Sequence, residues 1–204
     1  MKLLHIDGCV RTSASRTLAL TQHFLGKLSE NCAKTGQPLE TETLTLGELS
    51  ISHFVGESLK IRDNLIKKGE LSHENFDLSH QFADADILVI SAPFWDLSLP
   101  AVVKVYIENI SVQGITFDID DSGLFGLCKA RHLVYVTTRG AFYQGGELDI
   151  GSKYLEALCK MYGIDNFHTV FAEGTDIATL DLQKIMEEGR ERADAVAQTI
   201  SAQK

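Results

Sequence analysis

Residues 86–92 read DILVISA, an apolar run that leaves no room for alternation between apolar and polar side chains. A strand with one solvated face alternates, whereas a strand covered on both faces is continuously apolar. The run therefore predicts a strand that is buried on both faces of a parallel sheet. Residues 132–138 (HLVYVTT) have the same character and predict a second buried strand.

Outward from these two strands, shorter apolar runs alternate with stretches of helical spacing. Further strands are predicted at residues 2–7, 39–46 and 167–171, and the alternation of 39–46 (LETETLTL) indicates a sheet edge. Helices are predicted at residues 15–33, 100–109, 151–162 and 180–202. Residues 47–79 are polar and irregular, with helical character only in part.

Strands that alternate with helices indicate an α/β fold, a parallel sheet with helices on both faces. Five strands fit a flavodoxin-like doubly wound sheet at least as well as a larger Rossmann sheet. No repeat, low-complexity segment or linker interrupts the pattern. The sequence therefore predicts a single domain over residues 1–204.

The charge and the apolar pattern of the chain argue against two classes of partner. The 19 basic and 28 acidic side chains give a net charge of −9, whereas binding to nucleic acid depends on clustered Lys and Arg. No apolar stretch approaches the ~18–20 residues that span a bilayer, and the N-terminal residues indicate a strand rather than a signal peptide. We expect neither nucleic acid nor a membrane as a partner.

Four cysteines are far apart in the sequence: Cys9, Cys32, Cys128 and Cys159. A chain of this length buries a sufficient core without disulfides, so reduced thiols in a cytoplasmic protein are expected. No Cys/His cluster has the spacing of a zinc site, and no bound metal is expected.

In doubly wound sheets, ligands bind beyond the carboxyl ends of the strands, where the strand order reverses. This rule selects three loops, at residues 8–17, 93–99 and 138–146. The first loop (GCVRTSASRT) has neither a dinucleotide fingerprint nor a P-loop. It does place four hydroxyl side chains and Arg16 where a helix begins, namely Thr12, Ser13, Ser15 and Thr17. Such a helix start can hold a phosphate. Capping of the helix by Ser13 or Ser15 would explain one of the hydroxyls, but four hydroxyls and an Arg favour phosphate binding.

The second loop (PFWDLSLP) places Phe94 and Trp95 after a buried strand, where a flat ligand could lie against them while backbone groups of Asp96 and Leu97 contact its polar edge. Core packing explains the two aromatic residues equally well, and Asp96 also fits a solvated turn.

The third loop (TTRGAFYQGG) offers Gly140 and Ala141 for close approach of the backbone to a ligand. Tyr143 could donate a hydrogen bond or simply pack, and a flexible turn explains Gly145 and Gly146. No catalytic triad, nucleophile elbow or carboxylate pair is present. If the protein is an enzyme, a cofactor is expected to supply the chemistry.

Taken together, the loops resemble the FMN-dependent NADH-azoreductases of the flavodoxin-like NAD(P)H:quinone oxidoreductase superfamily. The resemblance extends from residue 2 to about residue 200 and includes SAPFWDLSLPAVVKVYIENI (91–110), GITF (114–117), VTTRGA (136–141) and VFAEG (170–174). It implies that the FMN phosphate is held by Cys9, Ser15, Arg16 and Thr17. It implies that the flavin ring lies along Pro93, Phe94, Trp95, Asp96 and Leu97. The pyrimidine edge would be held by Thr138, Arg139, Gly140 and Ala141.

Several positions depart from the family pattern. Thr138 for Ser keeps a hydroxyl, and Phe94 for Met and Trp95 for Tyr keep a flat apolar wall. Three other departures change the chemistry. Tyr143 stands where the family has a His that reaches a ring carbonyl; it retains a donor and is the implied catalytic residue. Asp96 replaces a neutral Asn, and a carboxylate near the flavin disfavours electron gain. Cys9 stands where Ser is common and lacks a strong hydroxyl donor.

The resemblance implies a homodimer in which residues 117–125 complete the partner's pocket. It also implies a ping-pong reaction, in which NADH or NADPH reduces bound FMN and a quinone or azo acceptor then takes the same place. Two alternatives stay open: a flavodoxin-type electron carrier that binds FMN without using NAD(P)H, and a flavin-free binding protein.

Overall fold

A computed structural model describes residues 1–11 and 14–202 of the chain. Its strands are β1 (Lys2–Asp7), β2 (Glu40–Thr45), β3 (Ile87–Ser91), β4 (Phe117–Asp120), β5 (Gly123–Gly126), β6 (His132–Arg139) and β7 (Asn166–Glu173). Five of these strands form a parallel sheet in the order β2-β1-β3-β6-β7, and β4 and β5 form a separate antiparallel hairpin. The five-stranded parallel sheet confirms the predicted architecture.

Helices cover both faces of this sheet. The helices are α1 (Arg16–Lys34), α2 (Glu57–Lys68), α3 (Asp77–Asp84), α4 (Ala101–Ile110), α5 (Ile150–Tyr162) and α6 (Leu182–Ala202), with 3-10 turns at Leu46–Glu48 and Glu74–Phe76. One layer of the core lies between the sheet and α1 with α6, and the other lies between the sheet and α3, α4 and α5. The sheet is therefore doubly wound, as predicted.

The central strand β3 shows why a continuous apolar run was the decisive signal. All five of its residues are buried. Ile87 and Val89 pack in the layer beneath α1 and α6, whereas Leu88 and Ile90 pack in the opposite layer. Because successive side chains point to opposite faces, both layers require apolar residues. Each such burial contributes about 1.5–3 kcal/mol before entropy is counted.

The strand order reverses between β1 and β3, because the chain goes from β1 to β2 on one side and then to β3 on the other. The loops that follow β1 and β3 therefore leave two neighbouring strands in opposite directions and leave a crevice between them. A crevice at this switch point is where such sheets bind ligands.

Most predicted elements match the structure to within one or two residues. The alternating strand β2 lies at the sheet edge as expected. Pro100 was expected inside a helix but lies immediately before α4. The region at 47–79, expected to be helical in part, contains all of α2 and the beginning of α3, but its polar composition did not show where these helices lie.

The β4–β5 hairpin was not predicted as secondary structure. Each strand has only four residues, and most of them are exposed, so no sustained apolar pattern marks them. The alternation of Phe117 and Ile119 before a turn at Asp121 and Ser122 was the available signal.

Within residues 1–11 and 14–202, no helix combines the length and the apolar character needed to cross a membrane. The same residues contain no group of three or more His, Cys, Asp or Glu side chains suited to holding a metal ion.

Candidate functional site

A groove opens at the carboxyl edge of the sheet, at the switch point between β1 and β3. It is lined by Val10, Arg11, Ala14, Ser15, Arg16, Thr17, Pro93, Phe94, Trp95, Thr138, Gly140, Thr175 and Asp176. These residues come from the loops after four strands of the sheet. All three predicted loops contribute residues to the groove.

The loop after β1 is held close to the sheet. The Gly8 N–H donates to the Ser91 carbonyl oxygen at 2.8 Å, and a Cβ on Gly8 would collide with Cγ2 of Val103. A side chain at this position would push the loop away from helix α4, which carries Val103. Glycine is therefore required for the groove to have its shape.

Ser15 caps helix α1 and also lines the groove. Its Oγ accepts a hydrogen bond from the Leu18 N–H at 3.2 Å, so the expected capping role is present. The N–H groups of Arg16 and Thr17 precede the first intrahelical hydrogen bond and donate to no partner among the described residues. Free N–H groups at a helix start favour a bound anion.

Thr17 joins the first loop to the third. Its buried hydroxyl lies 2.7 Å from the Thr138 hydroxyl, so both predicted hydroxyl groups are present but hydrogen-bonded to each other. The bond holds the start of α1 against the end of β6.

Arg16 and Asp176 form an ion pair at the mouth of the groove. One Arg16 nitrogen lies 3.0 Å from an Asp176 carboxylate oxygen and 3.1 Å from the Thr175 carbonyl oxygen. Asp176 also lies against Gly140, where a Cβ would come within 2.6 Å of its Oδ2. The absence of a side chain at Gly140 leaves room for this carboxylate.

The second loop makes a tight turn beside the groove. Trp95 and Ser98 exchange two backbone hydrogen bonds, at 3.1 and 2.8 Å, around Asp96 (φ 50°) and Leu97 (φ 64°). Residues other than glycine rarely adopt this left-handed conformation, and Leu is among the less tolerant. The exposed side chains of Asp96 and Leu97 do not line the groove, and the Leu97 carbonyl oxygen already accepts from the Gly151 N–H at 3.1 Å.

Arg139 points into the protein interior instead of into the groove. Its side chain is fully buried and lies 3.1 Å from Asp149, 3.2 Å from Glu173 and 2.9 Å from the Ser152 hydroxyl. A direct contact of the guanidinium with a ligand in the groove is thereby excluded. Any contact from Arg139 must come from its backbone.

Tyr143 lies next to the groove without lining it. Its ring packs on Phe94 with a centroid separation of 4.8 Å, and its backbone N–H donates to Glu173 at 2.7 Å. The phenol thus remains the only donor of Tyr143 that could reach a ligand. Its catalytic role stays a prediction.

Cys9 lies behind the groove. It is buried, its N–H donates to Asp7 at 2.9 Å, and burial raises the pKa of its thiol to about 12. The thiol is therefore neutral and unreactive at physiological pH.

The predicted site residues fall into two groups. Those that line the groove are Ser15, Arg16, Thr17, Pro93, Phe94, Trp95, Thr138 and Gly140. Those that lie beside or behind it are Cys9, Asp96, Leu97, Arg139, Ala141 and Tyr143. Thr12 and Ser13, which were also expected to supply hydroxyls, lie outside the described residues.

Five lining residues were not predicted: Val10, Arg11, Ala14, Thr175 and Asp176. The first three lie inside the first predicted loop. The other two follow β7, and the rule that ligands bind at the carboxyl ends of strands, applied to that strand, was the signal that could have found them.

Comparisons with known proteins agree with this geometry. The fold and the position of the groove define the flavodoxin-like class of α/β proteins. A family model described as flavodoxin-like fold matches residues 1–197, and the chain belongs to this family.

Proteins similar in sequence to this chain share one activity in their names. An FMN-dependent NADH:quinone oxidoreductase of Clostridium acetobutylicum is 34% identical over 197 residues, which cover 94% of this chain and 96% of the relative. One from Caldicellulosiruptor bescii is 32% identical over 202 residues, covering 96% and 98% of the two chains. The resemblance inferred from the three loops is confirmed.

Solved structures share the fold. An azoreductase from Bacillus anthracis has a TM-score of 0.83 at 23% identity, covering 98% of this chain and 99% of that one. An FMN-dependent NADH-azoreductase from the same species, solved with FMN, has a TM-score of 0.84 at 21% identity and the same coverage.

Proposed function

We propose that the protein is an FMN-dependent NAD(P)H:quinone oxidoreductase that also accepts azo compounds. The observation that carries this proposal is the composition of the groove, in which a helix start with free N–H groups and an aromatic wall meet at the switch point of the sheet. Relatives of this name match the chain over nearly its full length.

The start of α1 suits the phosphate of FMN. The N–H groups of Arg16 and Thr17, the hydroxyl of Ser15 and the positive end of the helix dipole all favour a doubly charged anion. The Arg16 guanidinium adds a full charge once it is released from Asp176.

The wall formed by Pro93, Phe94 and Trp95 suits a flat isoalloxazine ring. Gly140 lines the groove, so the backbone at 140–141 is placed to meet the polar pyrimidine edge. The backbone N–H groups there, together with the Tyr143 phenol, are the donors we assign to that edge. Leu97 and Asp96 shape the turn that carries Trp95, and Cys9 supports the first loop from behind.

Bound FMN supplies the two-electron redox chemistry, and donor and acceptor use the same place in turn. The Pro93–Trp95 wall and the 138–141 backbone would hold the ring, and the fixed N–H dipoles of that backbone would stabilise negative charge at its pyrimidine edge. Fixed N–H groups need little reorganisation when this charge develops.

We further propose that residues 1–204 form one domain that acts as a homodimer in the cytoplasm. Both layers of the core share one sheet, which supports a single domain. The exposed apolar face of the β4–β5 hairpin supports a protein interface there, and the acidic net charge supports the absence of nucleic acid.

The visible spectrum of the purified protein after incubation with FMN, followed by anaerobic titration with NADH and separately with NADPH, tests this function. We expect flavin absorption that is bleached by at least one nicotinamide and restored by a benzoquinone or an azo dye. A protein that binds FMN but is not bleached by either nicotinamide would be an electron carrier. A colourless protein that retains no FMN would be a flavin-free binding protein.

A further inference from the structure

Aromatic rings and guanidinium groups are stacked behind the wall of the groove. The Arg192 Cζ lies 4.5 Å from the centroid of Phe171, and the Arg139 Cζ lies 5.9 Å from the same centroid. On its other side, Arg139 lies 4.9 Å from the centroid of Phe94, which in turn packs on Tyr143 at 4.8 Å. The stack runs from helix α6 through β7 and β6 to the groove.

Arg139 is the fixed member of this stack. It has no exposed surface, and Asp149, Glu173 and Ser152 hold its two terminal nitrogens at 2.9–3.2 Å. Burial alone would raise the pKa of Asp149, but the Ser152 hydrogen bond and the Arg139 charge hold it below its ordinary value. Arg139 and Asp149 thus form a charged pair inside the protein.

The two carboxylates extend this anchoring to the third loop. One oxygen of Glu173 accepts from the Tyr143 N–H at 2.7 Å and from the Gln144 N–H at 2.6 Å. Asp149 caps helix α5 and accepts from the Gly145 N–H at 3.2 Å. Arg139 therefore contacts the second loop through Phe94 and holds the third loop through its carboxylate partners.

Phe94 itself is only half-buried and lines the groove, so its packing on one side depends on Arg139. A guanidinium lying over an aromatic ring attracts it through the ring's quadrupole, and more strongly where water is excluded. A ring that is already fixed loses less entropy when a ligand packs on it.

We propose that Arg139 is a positioning residue that acts through Phe94: the buried guanidinium fixes the ring that packs against the flavin and thereby increases FMN affinity. This role rests on the proposed function. It differs from the direct contact that the resemblance implied, because the guanidinium never reaches the groove.

A double-mutant cycle on the dissociation constant of FMN tests the role, measured by quenching of FMN fluorescence with the full chain. Arg139→Lys keeps the charge but loses the planar group that both stacks on Phe94 and binds three partners. Phe94→Leu removes the ring. We expect each single change to weaken FMN binding by roughly tenfold, and Arg139→Lys to cost less than about threefold when Phe94 is already Leu.

Arg192→Lys is the matched control, because it makes the same chemical change at the end of the stack that does not touch Phe94. We expect it to leave FMN affinity within about twofold. The visible circular dichroism of bound FMN, which reports on the surroundings of the ring, should change in Arg139→Lys and stay unchanged in Arg192→Lys.

The outcomes of the cycle separate the positioning role of Arg139 from the proposed function. An equal effect of Arg139→Lys in both backgrounds, or no effect in either, would overturn the positioning role while leaving the proposed function intact. A wild-type chain that binds no FMN would instead overturn the proposed function. If Arg139→Lys fails to fold, the same cycle with Ser152→Ala, which removes one acceptor of the guanidinium, is expected to show the same non-additivity, and additivity there would refute the role.

Discussion

At the scale of single residues, Asp176 places a negative charge in a groove that we assign to an anion. Its carboxylate pairs with Arg16 at 3.0 Å, and the two side chains are 73% and 44% exposed. Such pairs contribute at most about 1 kcal/mol. A phosphate that competes for Arg16 must displace Asp176 and is repelled by it.

Asp176→Asn should therefore tighten FMN binding by roughly twofold to fivefold at low salt, with a smaller gain at high salt. Titration of the apoprotein with FMN at two salt concentrations measures this. Asp165→Asn, an exposed acid outside the groove, serves as the control and should have no effect. Unchanged affinity in Asp176→Asn would mean that Arg16 does not contact the phosphate.

Ser15 allows the capping role and the ligand role to be separated. Asp caps helices as well as Ser does and is favoured by the helix dipole, so Ser15→Asp should leave the free energy of unfolding within about 0.5 kcal/mol of the wild type. The added charge should weaken FMN binding about tenfold by repulsion of the phosphate. Ser15→Asn, a neutral cap, should retain most of the affinity, and equal affinity for Asp and Asn would remove Ser15 from the phosphate site.

At the scale of elements, helix α1 lines the groove with its first residues, whereas the rest of the helix packs on the sheet. Gly26 lies exposed in this body, and a Cβ added there would meet nothing within 4 Å. Glycine in a helix costs about 0.5–1 kcal/mol relative to alanine. Gly26→Ala should therefore increase the free energy of unfolding by about this amount in a denaturant titration, without changing FMN affinity.

Gly126 in β5 provides the opposite case. A Cβ there would collide with the backbone of Tyr162 at the end of α5, so Gly126→Ala should destabilise the protein by more than 1 kcal/mol. If Gly126→Ala and Gly26→Ala had similar free energies of unfolding, the close packing of β5 against α5 would be contradicted.

At the scale of the whole molecule, the β4–β5 hairpin is the surface we assign to the homodimer. Ile119 and Leu124 pair across the hairpin on one face and are 55% and 51% exposed. Leu124→Asp should convert the dimer to a monomer in sedimentation velocity, because a charge would be buried at the interface. Val55→Asp, at an exposed apolar position outside the hairpin, should stay dimeric. If the hairpin variant also sedimented as a dimer, the interface would lie elsewhere.

The stability of the whole molecule should also depend on pH through His132. Its Nδ1 lies 3.1 Å from Nε2 of His168, and burial lowers its pKa from 6.5 to about 4. Between these values the unfolded chain binds more protons than the folded one, so stability falls as the pH decreases from 6.5 towards 4. Denaturant titrations at pH 7 and pH 5 should show a smaller loss for His132→Phe than for the wild type, and equal losses would contradict this origin.

The order of strands and helices and the location of the groove were predictable because both depend on local patterns. The apolar composition of residues 86–92 and 132–138 is enough to predict buried strands. The rule that ligands bind at the switch point then identifies the loops that follow them. The hairpin at 117–126 was not predicted, because its strands are too short and too exposed to show a pattern.

The sequence by itself determined the α/β class, the sheet with two covered faces and the three loops that meet at its carboxyl edge, because hydrophobic periodicity is a property of neighbouring residues. Only the tertiary structure decided that Arg139 is buried against Asp149 and Glu173, that Thr17 bonds to Thr138, and that Asp176 pairs with Arg16. Most of these partners lie more than thirty residues apart in the chain. Their contacts depend on how strands and helices pack, and no local spacing encodes that.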